Sequence, residues 1–87
     1  MRVEKYLKRK INRKIIKFFL ENLSSIDTPR GIATWINEDV DKTKKALKEL
    51  ADARILVFHG ADTTSAYACT SDKRVIAGLR ICLKRKS

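Results

Sequence analysis

Residues that build metal centres, disulfide frameworks and catalytic sites are scarce in this sequence. Its 87 residues include two cysteines, Cys69 and Cys82, and one histidine, His59. Two cysteines cannot form a disulfide framework, and their spacing from His59 matches no zinc pattern. Each cysteine falls at an apolar position of its predicted element, so we expect both to be small buried hydrophobic residues with reduced thiols. No metal or other cofactor is expected.

Glycine and proline are also few, and apolar runs are short. The three glycines are isolated, so the sequence has no glycine-rich phosphate loop. No set of nucleophile, base and orienting group can be drawn, and we therefore expect that the protein is not an enzyme. No apolar stretch approaches the ~20 residues of a membrane span. No apolar segment follows the basic N-terminus as in a secretory signal, so a cytoplasmic protein is expected.

Acidic residues are nearly missing from both ends of the chain. Residues 1–17 carry eight basic groups and one acid, and residues 73–87 carry six basic groups and no acid. The formal net charge is +10, with 20 Lys plus Arg against 10 Asp plus Glu. Such a basic small protein favours a polyanionic partner, with nucleic acid first and an anionic membrane surface second. The alternative is that the basic ends only keep the protein in solution.

Hydrophobic periodicity predicts the order helix, helix, helix, strand, strand, helix. The first part, residues 1–23, reads as one long helix or two abutting helices. Its first stripe, Val3, Leu7 and Ile11, is narrow and flanked by basic residues, as in an extension that packs on one partner only. The later elements are helices over about 29–36 and 39–53, strands over 55–59 and 65–70 around a turn at 60–64, and a last helix after Ser71-Asp72.

The stretch from Gly31 to Leu56 organises the chain. Helical spacing of apolar residues continues on both sides of a short polar break at 37–39. Thr28 can cap the first of the two helices, with Pro29 in its first turn, and Asp39 or Asn37 can cap the second. The predicted buried stripes are Ile32, Ala33, Trp35 and Ile36, followed by Val40, Thr43, Leu47, Leu50 and Ala51.

This spacing resembles the winged helix-turn-helix family of DNA-binding proteins over roughly residues 13–70. In that family a helix of the form Ile-Ala-x-x-Leu precedes a recognition helix that ends Leu-x-x-Leu-x-x-x-Gly-Leu-Ile. The matching residues are Ile32, Ala33, Ile36, Leu47, Leu50, Ile55 and Leu56. The chain departs from the pattern at Arg54, where the family has a left-handed glycine. Arginine there implies either strain of about 1 kcal/mol or a different exit from the helix.

The resemblance implies an α+β winged-helix fold in one domain spanning residues 1–87. Residues 1–12 would form a basic helical extension, and residues 71–87 the C-terminal helix and basic tail. It also implies that Arg30 contacts a DNA phosphate. The wing would bring His59, Thr63 and Thr64 to the adjacent minor groove or backbone, although turn chemistry explains the two threonines equally well.

The recognition-helix segment, about 39–53, adds its own evidence. At 100° per residue Lys42, Lys45 and Lys48 face outward and Lys44 lies on the flank. Lysines on such a face can reach phosphates or guanine edges in a major groove. The alternative is a solvated face with Lys45–Glu49 and Lys48–Asp52 pairs. The acids Glu38, Asp39 and Asp41 at the head of the helix oppose DNA contact.

We therefore expect a DNA-binding transcription regulator whose partner is duplex DNA. The open alternatives are a winged-helix interaction module within a larger assembly, and an RNA or ribonucleoprotein binder that uses the basic ends. The narrow stripe of the first helix and part of the last helix have no evident partner in the predicted core. A homodimer joined through the first and last helices is expected from them, and packing of these helices within one monomer is the alternative.

Overall fold

The computed structural model describes residues 3–61 and 64–86. A 3-10 helix, Val3–Lys8, leads into α1, Lys10–Glu21, and a short strand β1, Ile26–Asp27, follows. Two helices come next, α2 at Pro29–Ile36 and α3 at Val40–Asp52. The chain then forms strands β2, Leu56–Ala61, and β3, Thr64–Cys69, and closes with α4, Lys73–Lys86. The fold is thus α+β, with a helix-turn-helix, a β-hairpin and a C-terminal helix in the predicted winged-helix arrangement.

The N-terminal segment divides into two helices at Arg9, whose backbone is extended at φ −83° and ψ 131°. Side chains of α1 donate hydrogen bonds to backbone carbonyls that would accept backbone N–H groups if the helix were continuous. Asn12 Nδ2 donates to the carbonyl of Tyr6 at 2.8 Å. Arg13 Nη1 donates to the carbonyls of Leu7 and Lys8 at 2.8 and 3.1 Å. Satisfying these groups locally stabilises the break between the 3-10 helix and α1.

The first apolar stripe lies in the protein's own core, which corrects the expectation that it awaits a partner. Val3 and Leu7 are buried and Ile11 packs against the core with partial exposure. The 3-10 helix packs on both α1 and α4. The structure therefore matches the alternative, in which the two ends of the chain pack together within one monomer. The sequence argument for a homodimer is thereby reduced to its other part, the face of the last helix.

The helix-turn-helix is defined by local capping. Thr28 Oγ1 accepts from the Gly31 N–H at 3.2 Å, and Asp39 Oδ2 accepts from the Lys42 N–H at 3.0 Å. Both predicted caps are thus confirmed. Between them α2 ends at Asn37, which is left-handed at φ 57°. The backbone N–H of Glu38 bonds the Ala33 carbonyl at 3.0 Å and closes this turn.

The hairpin belongs to a three-stranded antiparallel sheet of order β1-β3-β2. Ala68 of β3 lies between Ile26 of β1 and Val57 of β2. The two long strands match their predicted positions to within two residues. The third strand, β1, was not predicted because two residues carry no periodicity, and it forms only because β3 supplies its backbone partners.

Trp35 is the exception within the predicted stripe of α2. Ile32, Ala33 and Ile36 are buried, but Trp35 is 73% exposed. Its ring lies against Phe18 of α1, with ring centroids 6.0 Å apart. A helix this short buries only the residues that face α1 and α3, and Trp35 falls outside that sector.

Candidate nucleic-acid interface

The orientation of α3 is set by its buried side. Thr43 and Leu47 are fully buried, with Ala46 and Leu50 beside them. The Thr43 hydroxyl donates to the carbonyl of Asp39 at 2.7 Å, so this polar side chain is satisfied inside the core. The helix therefore has one permitted rotation about its axis, and its opposite side faces solvent.

Four lysines occupy that outer side of α3. Lys42, Lys44, Lys45 and Lys48 are all exposed, as the helical spacing predicts. Within residues 3–61 and 64–86, no carboxylate lies within the 4.0 Å of an ion pair with any of them. Glu49 instead pairs with Arg9, 3.6 Å from its guanidinium. The proposed i,i+4 pairs are therefore not formed, and the four charges remain available to an anion.

Two of the three acids at the head of α3 are engaged within the protein. Lys14 Nζ donates to Glu38 Oε2 at 2.6 Å, and this hydrogen bond is the main reason why the pKa of Glu38 is lowered. Partial burial opposes the shift, while the charges of Lys14, Lys10 and Lys42 add to it. Asp39 is occupied by the helix cap. Asp41, the third acid, is exposed in the first turn, where it complements the helix dipole.

Basic residues of the N-terminal segment adjoin α3, which sequence reasoning treated as a separate tail. Arg9 reaches Glu49 in the last turn of α3, and Lys14 and Lys10 lie close enough to Glu38 to lower its pKa. Nothing in the linear pattern signals this neighbourhood, because it depends on how α1 crosses α3. Basic residues of the N-terminal segment therefore lie beside α3 in the folded protein.

The other residues expected at DNA lie on α2 and the hairpin. Arg30 is exposed in the first turn of α2, and His59 is exposed in β2 opposite Ala66. Thr64 begins β3 opposite Ala61. Thr63 lies outside the described residues. The structure thus brings the four lysines together on one helix side, while Arg30 and the hairpin residues lie on other elements.

An exposed aromatic side chain in the hairpin, that of Phe58, was not singled out from the sequence. Phe58 is 53% exposed, and its ring meets Tyr67 edge to face with centroids 5.4 Å apart. The ring also covers Gly60, where a Cβ atom would lie 2.5 Å from Phe58 Cε2. The sequence signal was the Phe-x-Gly spacing in β2, since a strand glycine marks a close approach. Burial, with the nearby charge of Asp52, raises the pKa of Tyr67, so this cluster adjoins the end of α3.

The exit from α3 is strained at Arg54, which is left-handed at φ 63°. The N–H of Arg54 bonds the Ala51 carbonyl at 2.9 Å, and the N–H of Ile55 bonds the Leu50 carbonyl at 3.0 Å. These two bonds form the Schellman motif that glycine usually occupies. Of the two possibilities raised by the sequence, the strained left-handed arginine is the one found. This turn directs the chain from α3 into β2.

The described residues contain no cluster suited to a metal. Cys69 is buried and Cys82 is partly buried, and both are free thiols. Burial raises the pKa of Cys69, which disfavours the reactive thiolate. Nowhere in residues 3–61 and 64–86 do three potential ligating side chains come together. In the same residues no helix has the length and apolarity to cross a membrane.

Comparison with known proteins finds similarity in structure and not in sequence. No family model matches the chain, and no curated protein matches it. The fold is similar to a possible transcriptional regulator from Methanosarcina mazei Go1, with a TM-score of 0.74 and 16% identity over 99% of this chain and 80% of that one. The antimony-specific transcriptional repressor AntR matches with a TM-score of 0.74 and 19% identity over 94% of this chain and 73% of that one.

A third similar structure is a mutant of ZitR from Lactococcus lactis in complex with DNA. Its TM-score is 0.61, with 17% identity over 84% of this chain and 52% of that one. At identities this low the similarities show a shared fold. The chain therefore has the α+β helix-turn-helix fold found in these three solved proteins.

Proposed function

We propose that this protein is a DNA-binding transcription regulator of the winged-helix type that contacts duplex DNA with α3 and the hairpin. The observation that carries the proposal is the row of exposed lysines on α3, which have no acidic partner among the residues that the structure describes. The fold supports it, because structures of similar fold are described as transcriptional regulators and one of them was solved with DNA. In this arrangement Lys42, Lys45 and Lys48 contact phosphates or guanine edges in the major groove.

Additional contacts on either side of α3 complete the proposed interface. Arg30 and Lys44 contact the backbone, and His59, Thr63 and Thr64 bring the hairpin to the adjacent groove. Lysine is a point charge without the planar fork of arginine, so we infer that most of the affinity is electrostatic and that base selectivity per monomer is low.

Binding to fluorescent duplex DNA over a range of salt concentrations tests the proposal. The change is the triple replacement of Lys42, Lys45 and Lys48 by alanine. Each lost phosphate contact removes about one released counterion, so the slope of log affinity against log salt should fall in magnitude by up to about three. A control variant with Lys5, Lys8 and Lys73 replaced by alanine loses the same charge from exposed sites elsewhere.

The comparison between the two triple variants decides whether DNA binds to α3 or to the basic ends of the chain. If the α3 variant binds as tightly as wild type and the control variant does not, the binding surface lies at the basic ends. Parallel titrations with single-stranded DNA and structured RNA distinguish the RNA-binding alternative, which predicts a preference for RNA and dependence on the ends.

A protein-interaction module is the second candidate function, and Trp35 favours it. Tryptophan is enriched at protein interfaces, and this one is 73% exposed beside Phe18. That alternative predicts no affinity for duplex DNA at moderate salt.

A homodimer through the first and last helices also stays a proposal, supported now by the exposed side chain of Ile81 in α4.

A further inference from the structure

A long groove runs between α1 and α4, and none of the described residues proposed to contact DNA lines it. Its volume is about 860 Å³, within the range of small-molecule sites. The groove follows α1 from Lys10 to Glu21, which corresponds to about 16 Å of helix. Leu20, Ile81 and Leu83 form its apolar part, and Ile81 is 55% exposed. The side chain of Ile81 is thus left largely uncovered in the groove.

The walls of the groove are strongly cationic. Among the described residues that line it, Glu21 is the single acid. The basic lining residues are Lys10, Arg13, Lys14, Lys17, Arg80 and Lys84. Lys10 and Lys17 are exposed, and neither forms an ion pair in the described part of the chain. An apolar floor below positive walls is complementary to a molecule that is both aliphatic and anionic.

Two arginines on opposite walls are held in place by backbone carbonyls. Arg13 Nη1 donates to the carbonyls of Leu7 and Lys8, and Arg80 Nη2 donates to the carbonyl of Leu20 at 3.3 Å. Each guanidinium has five N–H donors, so others remain for a ligand. Because the side chains are already ordered, an anion pays less entropy to bind them. Arginine is also suited to the paired oxygens of a carboxylate, phosphate or sulfate.

We propose that this groove binds a single anionic amphiphile, with its aliphatic chain against Ile81, Leu20 and Leu83 and its anionic head on the basic wall. A second copy of the protein is a poorer occupant at low salt. It would bring the same excess of positive charge to face itself, and like charges across an interface are unfavourable. An amphiphile supplies both the missing apolar cover and the missing negative charge.

Calorimetric titration of the full chain with decanoate, below its micelle concentration, tests the proposal without reference to DNA. Decanol has the same chain without the charge, and propionate has the charge without the long chain. We expect one molecule of decanoate to bind at least about tenfold more tightly than either control, a difference of about 1.4 kcal/mol. Amide chemical shifts that change on binding should cluster in α1 and α4.

Replacing Ile81 with glutamate adds a negative charge to the groove floor and should weaken decanoate binding at least about tenfold. Since Ile81 is more than half exposed, the fold should be retained. The matched control is Val57→Glu, which makes the same change of charge at an exposed aliphatic residue of β2 and should leave binding unchanged.

Three results would overturn the proposal. Equal affinity for decanol and decanoate would show that the basic wall does not contribute to binding. Binding to anionic phospholipid vesicles without binding of monomeric decanoate would make the groove part of a membrane-contact surface. A stable dimer at low salt that excludes decanoate would show that a second copy occupies the groove.

Discussion

Lys14 and Glu38 join α1 to the turn of the helix-turn-helix. Lys14 Nζ lies 2.6 Å from Glu38 Oε2 and 3.3 Å from the carbonyl oxygen of Ile36. One ammonium group therefore satisfies the C-terminal end of α2 and an acid at the head of α3. The contact also neutralises a negative charge that lies beside the lysines of α3.

This pair should make a pH-dependent contribution to stability. Because the folded-state pKa of Glu38 is lowered, its stabilising contribution is complete above the unfolded value of about 4.3 and is lost as pH falls through the lower folded value. A double-mutant cycle with Lys14→Met and Glu38→Gln, measured by urea unfolding, should show favourable coupling at neutral pH and progressively weaker coupling as the pH is lowered into the acidic range. The same cycle for the more exposed Arg9–Glu49 pair should show weaker coupling. Coupling that is unchanged with pH would contradict the assignment.

Replacing Arg54 with glycine should stabilise the protein. The left-handed conformation costs a side-chain-bearing residue about 1–2 kcal/mol, and the added flexibility of glycine in the unfolded chain returns part of this. A net gain of roughly 0.5–1 kcal/mol in unfolding free energy is expected from denaturant titration. Arg54→Ala keeps the backbone strain and should give no such gain. Asn37→Gly, at the other left-handed position, should gain less because asparagine tolerates this conformation.

Replacing Gly60 with alanine should displace the Phe58 ring from Tyr67, since the new Cβ would overlap Phe58 Cε2. The expected loss is about 0.5–1.5 kcal/mol, the value of an edge-to-face aromatic pair. In a Phe58→Ala background the same replacement should cost markedly less. Thermal or urea unfolding of the four proteins measures this coupling, and an equal cost in both backgrounds would show that the ring does not contact Gly60.

Self-association should increase with ionic strength, whereas the affinity of the proposed DNA binding should decrease with it. The groove between α1 and α4 has an apolar floor with cationic walls, and salt screens the repulsion between two such surfaces. Sedimentation equilibrium should show monomer at low salt and a growing fraction of dimer at high salt. Ile81→Glu should suppress that fraction, whereas Val57→Glu should not. A strictly monomeric mass under both conditions would exclude the homodimer.

The sequence by itself determined the features that depend on neighbouring residues. Thr28 and Asp39 cap helices through hydrogen bonds that span three residues, and the rotation of α3 follows from apolar spacing within one helix. The unusual exit at Arg54 was also visible, since one position departs from an otherwise regular pattern, but the sequence left open whether the backbone there is strained or leaves the helix differently. Such features are local because a helix is specified by contacts between residues three or four apart.

The tertiary structure decided everything that depends on residues distant in the chain. Lys14 and Glu38 are 24 residues apart, and Arg80 is 60 residues from the carbonyl it bonds on Leu20. Strand β1 exists through its pairing with β3, and the burial of Val3 and Leu7 depends on the return of α4 across the N-terminal segment. These contacts set which basic residues face an acid, which face the groove and which face solvent. No periodicity encodes such pairings, because they follow from how the completed helices and strands pack against one another.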